Sequence, residues 1–184
     1  MRLTQAFVAT AFVVAAPAAA EPSLAEARQS LVGRWQGKLE YRDYQADRWF
    51  GLPVIVEVRD GGDGVTLIRT ADYDDGPSTG TVRITTVSML APNGTEETSA
   101  TFRKGRAVET ATAKLALVGS SKDRENWTLI ETIAGKDDDR PATIRLTTTR
   151  TGKKVVTLKE VDFQDDSKAE WLVRNRTMIL RVEP

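Results

Sequence analysis

The stretch GRWQGKLEYRDY, residues 33–44, decides how the rest of the chain is read. Trp35, Gly37, Leu39 and Tyr41 fall on one side of an alternation, and Arg34, Gln36, Lys38, Glu40 and Arg42 on the other. A period of two is the signature of a strand with unlike faces. The charged face suits water. The other must meet a core or the inside of a barrel.

The same alternation continues to the end of the chain. Strands are predicted at 34–44, 50–60, 64–73, 80–91, 96–103, 106–118, 125–134, 141–150, 154–163 and 169–182. Their separators, such as RDGGDG, DYDDGPSTG, APNG and QDDSK, are dense in residues that turns require. Nothing after Gly33 reads as a crossover helix, so parallel βαβ architecture is unexpected. The fold class is mainly β, an antiparallel up-and-down barrel of about 8–10 strands, because open sheet edges invite aggregation. A β-sandwich is the alternative.

Residues 22–32, PSLAEARQSLV, carry the helical signal. Ser23 can cap, Glu26 follows three residues later, and Leu24, Ala27 and Leu31 recur at helical spacing. Upstream, Arg2, the apolar run AFVATAFVVAA and the small-residue segment PAAA have the order of a secretory signal. Cleavage is expected after Ala20, leaving residues 21–184 as one domain without an integral membrane helix, in the periplasm or outside the cell.

The 184-residue chain has 26 basic and 26 acidic residues, and loss of Arg2 leaves 25 against 26. That balance argues against nucleic acid, which needs a clustered basic excess. Cys and His are both absent. Thiolate and imidazole metal or haem ligation are therefore excluded, as are most nucleophile–base pairs. Without disulfides, stability rests on burial and backbone pairing. Asn93, Asn126 and Asn175 begin N-x-T triplets, two of them in predicted strands where a glycan would compete with packing. A bacterial envelope is the expected setting.

Gly33–Trp35, GRW, resembles the G-x-W signature that opens the first strand of lipocalins and the wider calycin group. The resemblance implies that Trp35 closes one end of the barrel under an Arg from the last strand. Arg174, Arg176 and Arg181 are the candidates. GRWQGKLEY is also similar to the opening of nitrobindin-like haem barrels, whose iron is held by His; this sequence has none, so no cofactor is carried over.

Strict alternation places two charges on apolar faces. Arg69 shares parity with Val65, Leu67 and Tyr73, and Glu131 with Trp127, Leu129 and Ile133. Buried charges need partners, so each is expected to find the other or an Arg of the last strand, unless a bulge turns both to water. Together with Tyr41 they are the candidate contacts for a ligand. Tyr44, Trp49 and Phe50 flank the first turn, at a barrel mouth or as a plug. Ala107, Ala111 and Ala113 on one strand face would leave interior space.

The acidic clusters at Asp72, Asp74 and Asp75, at Asp137–Asp139, and at Asp162, Asp165 and Asp166 match no calcium loop. They read as solvated turns, and no metal is expected. The leading expectation is a barrel that binds a small apolar or amphipathic molecule. The alternatives are a solid scaffold or inhibitor that binds protein through its loops, and a carboxylate-based enzyme of unspecified reaction. An outer-membrane barrel would put Arg69 and Glu131 into lipid and lacks aromatic girdles.

Overall fold

The computed structural model describes residues 21–165, 168 and 170–183. The expected signal segment and Asp166 lie outside those residues. Ten antiparallel strands close into one barrel, each paired with its neighbours in sequence and the last with the first. They are β1 (Gly33–Asp43), β2 (Arg48–Asp60), β3 (Thr66–Asp74), β4 (Thr81–Leu90), β5 (Glu96–Arg103), β6 (Glu109–Asp123), β7 (Asn126–Asp137), β8 (Arg140–Thr151), β9 (Lys154–Phe163) and β10 (Leu172–Arg181). The closed seam rules out the sandwich. It runs in unbroken register from Trp35 opposite Arg181 to Tyr41 opposite Asn175.

Alternation sets the faces. Trp35, Val54, Val56, Val58, Leu67, Ala71, Val155 and Ile179 pack inside as one buried cluster. A second cluster joins Ala27, Leu90, Ala113, Leu115, Trp127 and Leu129. The charged partners in the first strand point outward, where Arg176 of β10 pairs with Glu40 at 2.6 Å. In β1 this is the reverse of the alternation that a lipid-facing barrel wall needs. No helix among the described residues is long and apolar enough to cross a membrane.

Helix α1 (Leu24–Gln29) covers the end of the barrel where β1 begins, and Ser23 and Glu26 form the expected capping box. It is shorter than the predicted 22–32 because the chain turns at Ser30 to enter β1. A single helical turn not foreseen, α2 (Gly76–Thr79), sits between β3 and β4 at the opposite end.

The strand ends differ from expectation where local chemistry overrides alternation. β7 continues to Asp137 and reverses through Asp138 and Asp139, whose φ values of 50° and 60° suit a two-residue hairpin. Asp137 is buried rather than solvated, held by Lys159 at 2.6 Å and Arg174 at 2.9 Å. The β9–β10 register shifts between Val173 and Asn175, leaving Arg174 as the irregular residue. β6 starts at Glu109, so Ala107 precedes it, while Ala113 is core and Ala111 faces the interior.

Candidate functional site

The two ends of the barrel are built differently. At the α1 end, Trp35 is fully buried and its indole N–H donates to the Leu31 carbonyl at 2.8 Å. Trp127 donates to Ser30 Oγ at 3.1 Å, tying the helix exit to β7. Two guanidiniums stand over the Trp35 ring, Arg181 at 5.2 Å and Arg150 at 5.5 Å. Both are within cation–π range. Arg181 also donates to the Val32 carbonyl at 2.8 Å, and Arg150 to the carbonyls of Gly152 and Ser30. These donors satisfy the C-cap carbonyl of Ser30, that of Val32 just after the helix and that of Gly152 in the β8–β9 turn, so the end is sealed by hydrogen bonds as well as by bulk.

Of the three last-strand arginines, Arg181 alone meets Trp35. Arg176 lies outside, its guanidinium 4.4 Å from the Trp49 ring and paired with Glu40. Arg174 belongs to the far end, on Asp137 and Asp138. Parity separates Arg176 from Arg181, and the bulge turns Arg174 to the rim. Arg150 was missed, although it shares an inward face with Thr148.

The opposite end is a mouth. Tyr41 and Phe50 stack with ring centroids 5.5 Å apart, and Phe50 remains half exposed. The Tyr44 hydroxyl donates to the Val173 carbonyl at 2.8 Å, bracing the first turn against β10. Burial pushes the Tyr41 phenol pKa up; Tyr73 and Asp75 add to it and Arg103 opposes.

Between these ends lies a cavity of about 620 Å³. Its wall is mixed. Leu39, Leu52, Val56, Val58, Val82 and Ile84 are among its apolar residues. Thr86, Ser88, Ser99, Thr101, Thr148, Thr157 and Thr177 set hydroxyls among them, with Thr86–Thr101 and Thr148–Thr157 bonded at 3.1 and 3.0 Å. Asn175 also faces the cavity, so its N-x-T triplet is closed to a glycan. Ten strands enclose more room than eight, and the short hydroxyl side chains leave it unfilled.

Tyr41, Arg69 and Glu131 all line this one cavity. No bulge interrupts β3 or β7, so Arg69 and Glu131 keep the inward parity while Ile68 and Ile130 take the outer face. The expected partnering is not what forms. Neither the Arg69 nor the Glu131 side chain makes a hydrogen bond or ion pair with a described residue, and the last-strand arginines are elsewhere.

The interior ion pair instead joins Arg28 of α1 to Glu97 of β5. Arg28 is buried and also donates to the Val65 carbonyl at 3.0 Å and to Ser88 Oγ at 3.1 Å. Glu131 has its pKa pushed up to about 7, first by burial and then by the Glu97 carboxylate, with Arg28 and Arg69 pulling it back. Four charges of two signs thus share the α1 end, one cation–anion pair satisfied and two groups open to the cavity.

A sequence signal existed for Arg28, which lies on the helical stripe of Leu24 and Leu31. None marked Glu97, because its strand face of Ser99, Thr101 and Arg103 contains no apolar residue.

No known protein family and no curated protein matches this chain. Among solved structures, the fold is similar to that of the crystal structure of Rv2717c from M. tuberculosis, with a TM-score of 0.60 at 11% identity over 89% of this chain and 100% of that one. At such low identity the likeness concerns the barrel alone.

Proposed function

We propose that this protein is a lipocalin-like carrier that binds a small amphipathic molecule inside its barrel, in the periplasm or outside the cell once residues 1–20 are removed. The observation that carries this reading is the cavity of about 620 Å³ with Arg69 and Glu131 pointing into it unpaired. Cavities of this size suit a single small ligand, held by apolar walls and oriented by a few polar groups. A purely apolar guest would leave both charges unanswered, so an amphipathic one fits better.

A filled interior would have favoured the scaffold reading. A carboxylate-based reaction is the second reading, and Glu131 near neutrality is the observation in its favour. Among the described residues no nucleophile–base pair accompanies it, and we rank binding first.

The test uses Nile red, a neutral fluorophore that brightens in apolar surroundings, together with mass spectrometry of organic extracts of the purified protein. The wild type is expected to bind the dye saturably. Ala111→Phe, which fills the cavity from β6, is expected to abolish binding while keeping the far-ultraviolet spectrum of a barrel. Equal dye binding by both proteins, with clean extracts, would refute an interior site.

A further inference from the structure

We propose that the α1 end of the cavity is a subsite for an acid group: an amphipathic carboxylic acid enters head first, pairs its carboxylate with Arg69 and accepts a hydrogen bond from Glu131. The proposal rests on the ligand-binding reading above and assigns the chemistry of its guest.

The argument begins with charge. Arg28 and Glu97 neutralise one another and are further tied to Val65 and Ser88. Arg69 on β3 and Glu131 on β7 remain, separated by β4, β5 and β6 along one arc of the barrel. A guest carboxylate between them answers the guanidinium directly. Charge-assisted hydrogen bonds of this kind are about twice as strong as neutral ones. With Arg28 and Glu97 offsetting one another, an ammonium head would meet the unpaired Arg69 as a like charge and leave that guanidinium unanswered. An alcohol would leave the Arg69 charge uncompensated.

Polarity along the cavity orients the guest. Leu39, Leu52, Val82 and Ile84 lie from mid-barrel toward the rim near Tyr41 and Tyr73. An apolar tail fits there, trailing toward the mouth, and Thr86 and Thr101 stand in the Arg69 row as further donors.

Proton linkage follows from the same placement. Glu131 faces Glu97, Arg28 and Arg69, and its paired neighbours across β6 and β8 are Leu115 and Leu146. Toward the mouth, the cavity also carries Lys159, held by Asp137, and Arg103, Asp75, Tyr41 and Tyr73. A bound carboxylate adds a second anion beside Glu131 and favours its protonated form. Below neutrality Glu131 already carries the proton. Above it, binding takes one up from solvent, so acid affinity should fall by about tenfold per pH unit.

The experiment measures displacement of Nile red by dodecanoate, 1-dodecanol and dodecylamine between pH 6 and 9. It uses the wild type, Arg69→Gln, Arg69→Lys and Glu131→Gln. Dodecanoate should compete at least about tenfold better than the alcohol at pH 7, a gap consistent with one added charge-assisted bond. Arg69→Gln should bring the acid down to the level of the alcohol, Arg69→Lys should retain part of the preference, and Glu131→Gln should flatten the pH profile.

Equal displacement by acid and alcohol in the wild type, or preference for the amine, overturns the subsite and leaves the cavity reading intact. So does dye binding that none of the three ligands displaces. Failure of the wild type to bind dye or any ligand overturns both.

Discussion

Glu131 makes a quantitative demand on stability. Its carboxyl titrates at an ordinary 4.5 in the unfolded chain and at about 7 in the barrel, raised chiefly by burial. A carboxyl with a raised folded pKa supports the fold fully below the unfolded value. That support is lost as pH climbs toward the folded value, because the native state holds the extra proton across this window. At about 1.4 kcal/mol per pH unit the loss has a ceiling of about 3 kcal/mol. Water entering the open cavity screens the charge, so about 2 kcal/mol is expected.

Glu131→Gln removes the charge and keeps the shape. Urea unfolding at pH 5 should find the two proteins similar. At pH 8 the variant should be more stable by about 2 kcal/mol, or about 4–8 °C in Tm for a domain of this size. The other carboxyls displaced from their ordinary values are all moved downward, outside the window. Parallel stability profiles for wild type and Glu131→Gln from pH 5 to 8 would refute the claim that Glu131 lies in an enclosed, charge-crowded interior.

The sealed end offers three further tests. Trp35→Ala should cost about 3–5 kcal/mol in chemical denaturation, since it empties the place of a fully buried indole, leaves the Leu31 carbonyl without its donor and removes the ring beneath two guanidiniums. Arg28→Met should lower stability by about 3–5 kcal/mol, because Glu97 is then left as an unpaired interior anion; adding Glu97→Gln should recover much of that loss. In Gly37→Ala the new Cβ would stand 1.9 Å from the Met178 carbonyl oxygen, so the β1–β10 seam must move apart. Hydrogen exchange should show β1 and β10 amides losing protection ahead of β7 and β8, with at least ~2 kcal/mol lost overall.

The ring of strands was legible along the chain because each strand has unlike faces separated by turn chemistry. β5 and β9 begin and end at the residues alternation marks, 96–103 and 154–163. The inward aim of Arg69 and Glu131 was also legible, from parity with Leu67 and Leu129. The partners of buried charges were not. Pairing is a matter of which side chains meet across the interior, and neither Arg28 nor Glu97 shares a local pattern with the other.

Alternating polarity by itself determined that this chain forms a mainly β fold, and the lack of His and Cys by itself ruled out whole classes of chemistry. Only the tertiary structure decided that ten strands close, that Arg181 and Arg150 seal Trp35, and that two opposite charges face an unfilled space. The reason is physical. A strand's pattern dictates which face is hidden, whereas closure and the volume enclosed depend on how many strands pair and which distant side chains arrive at the same point.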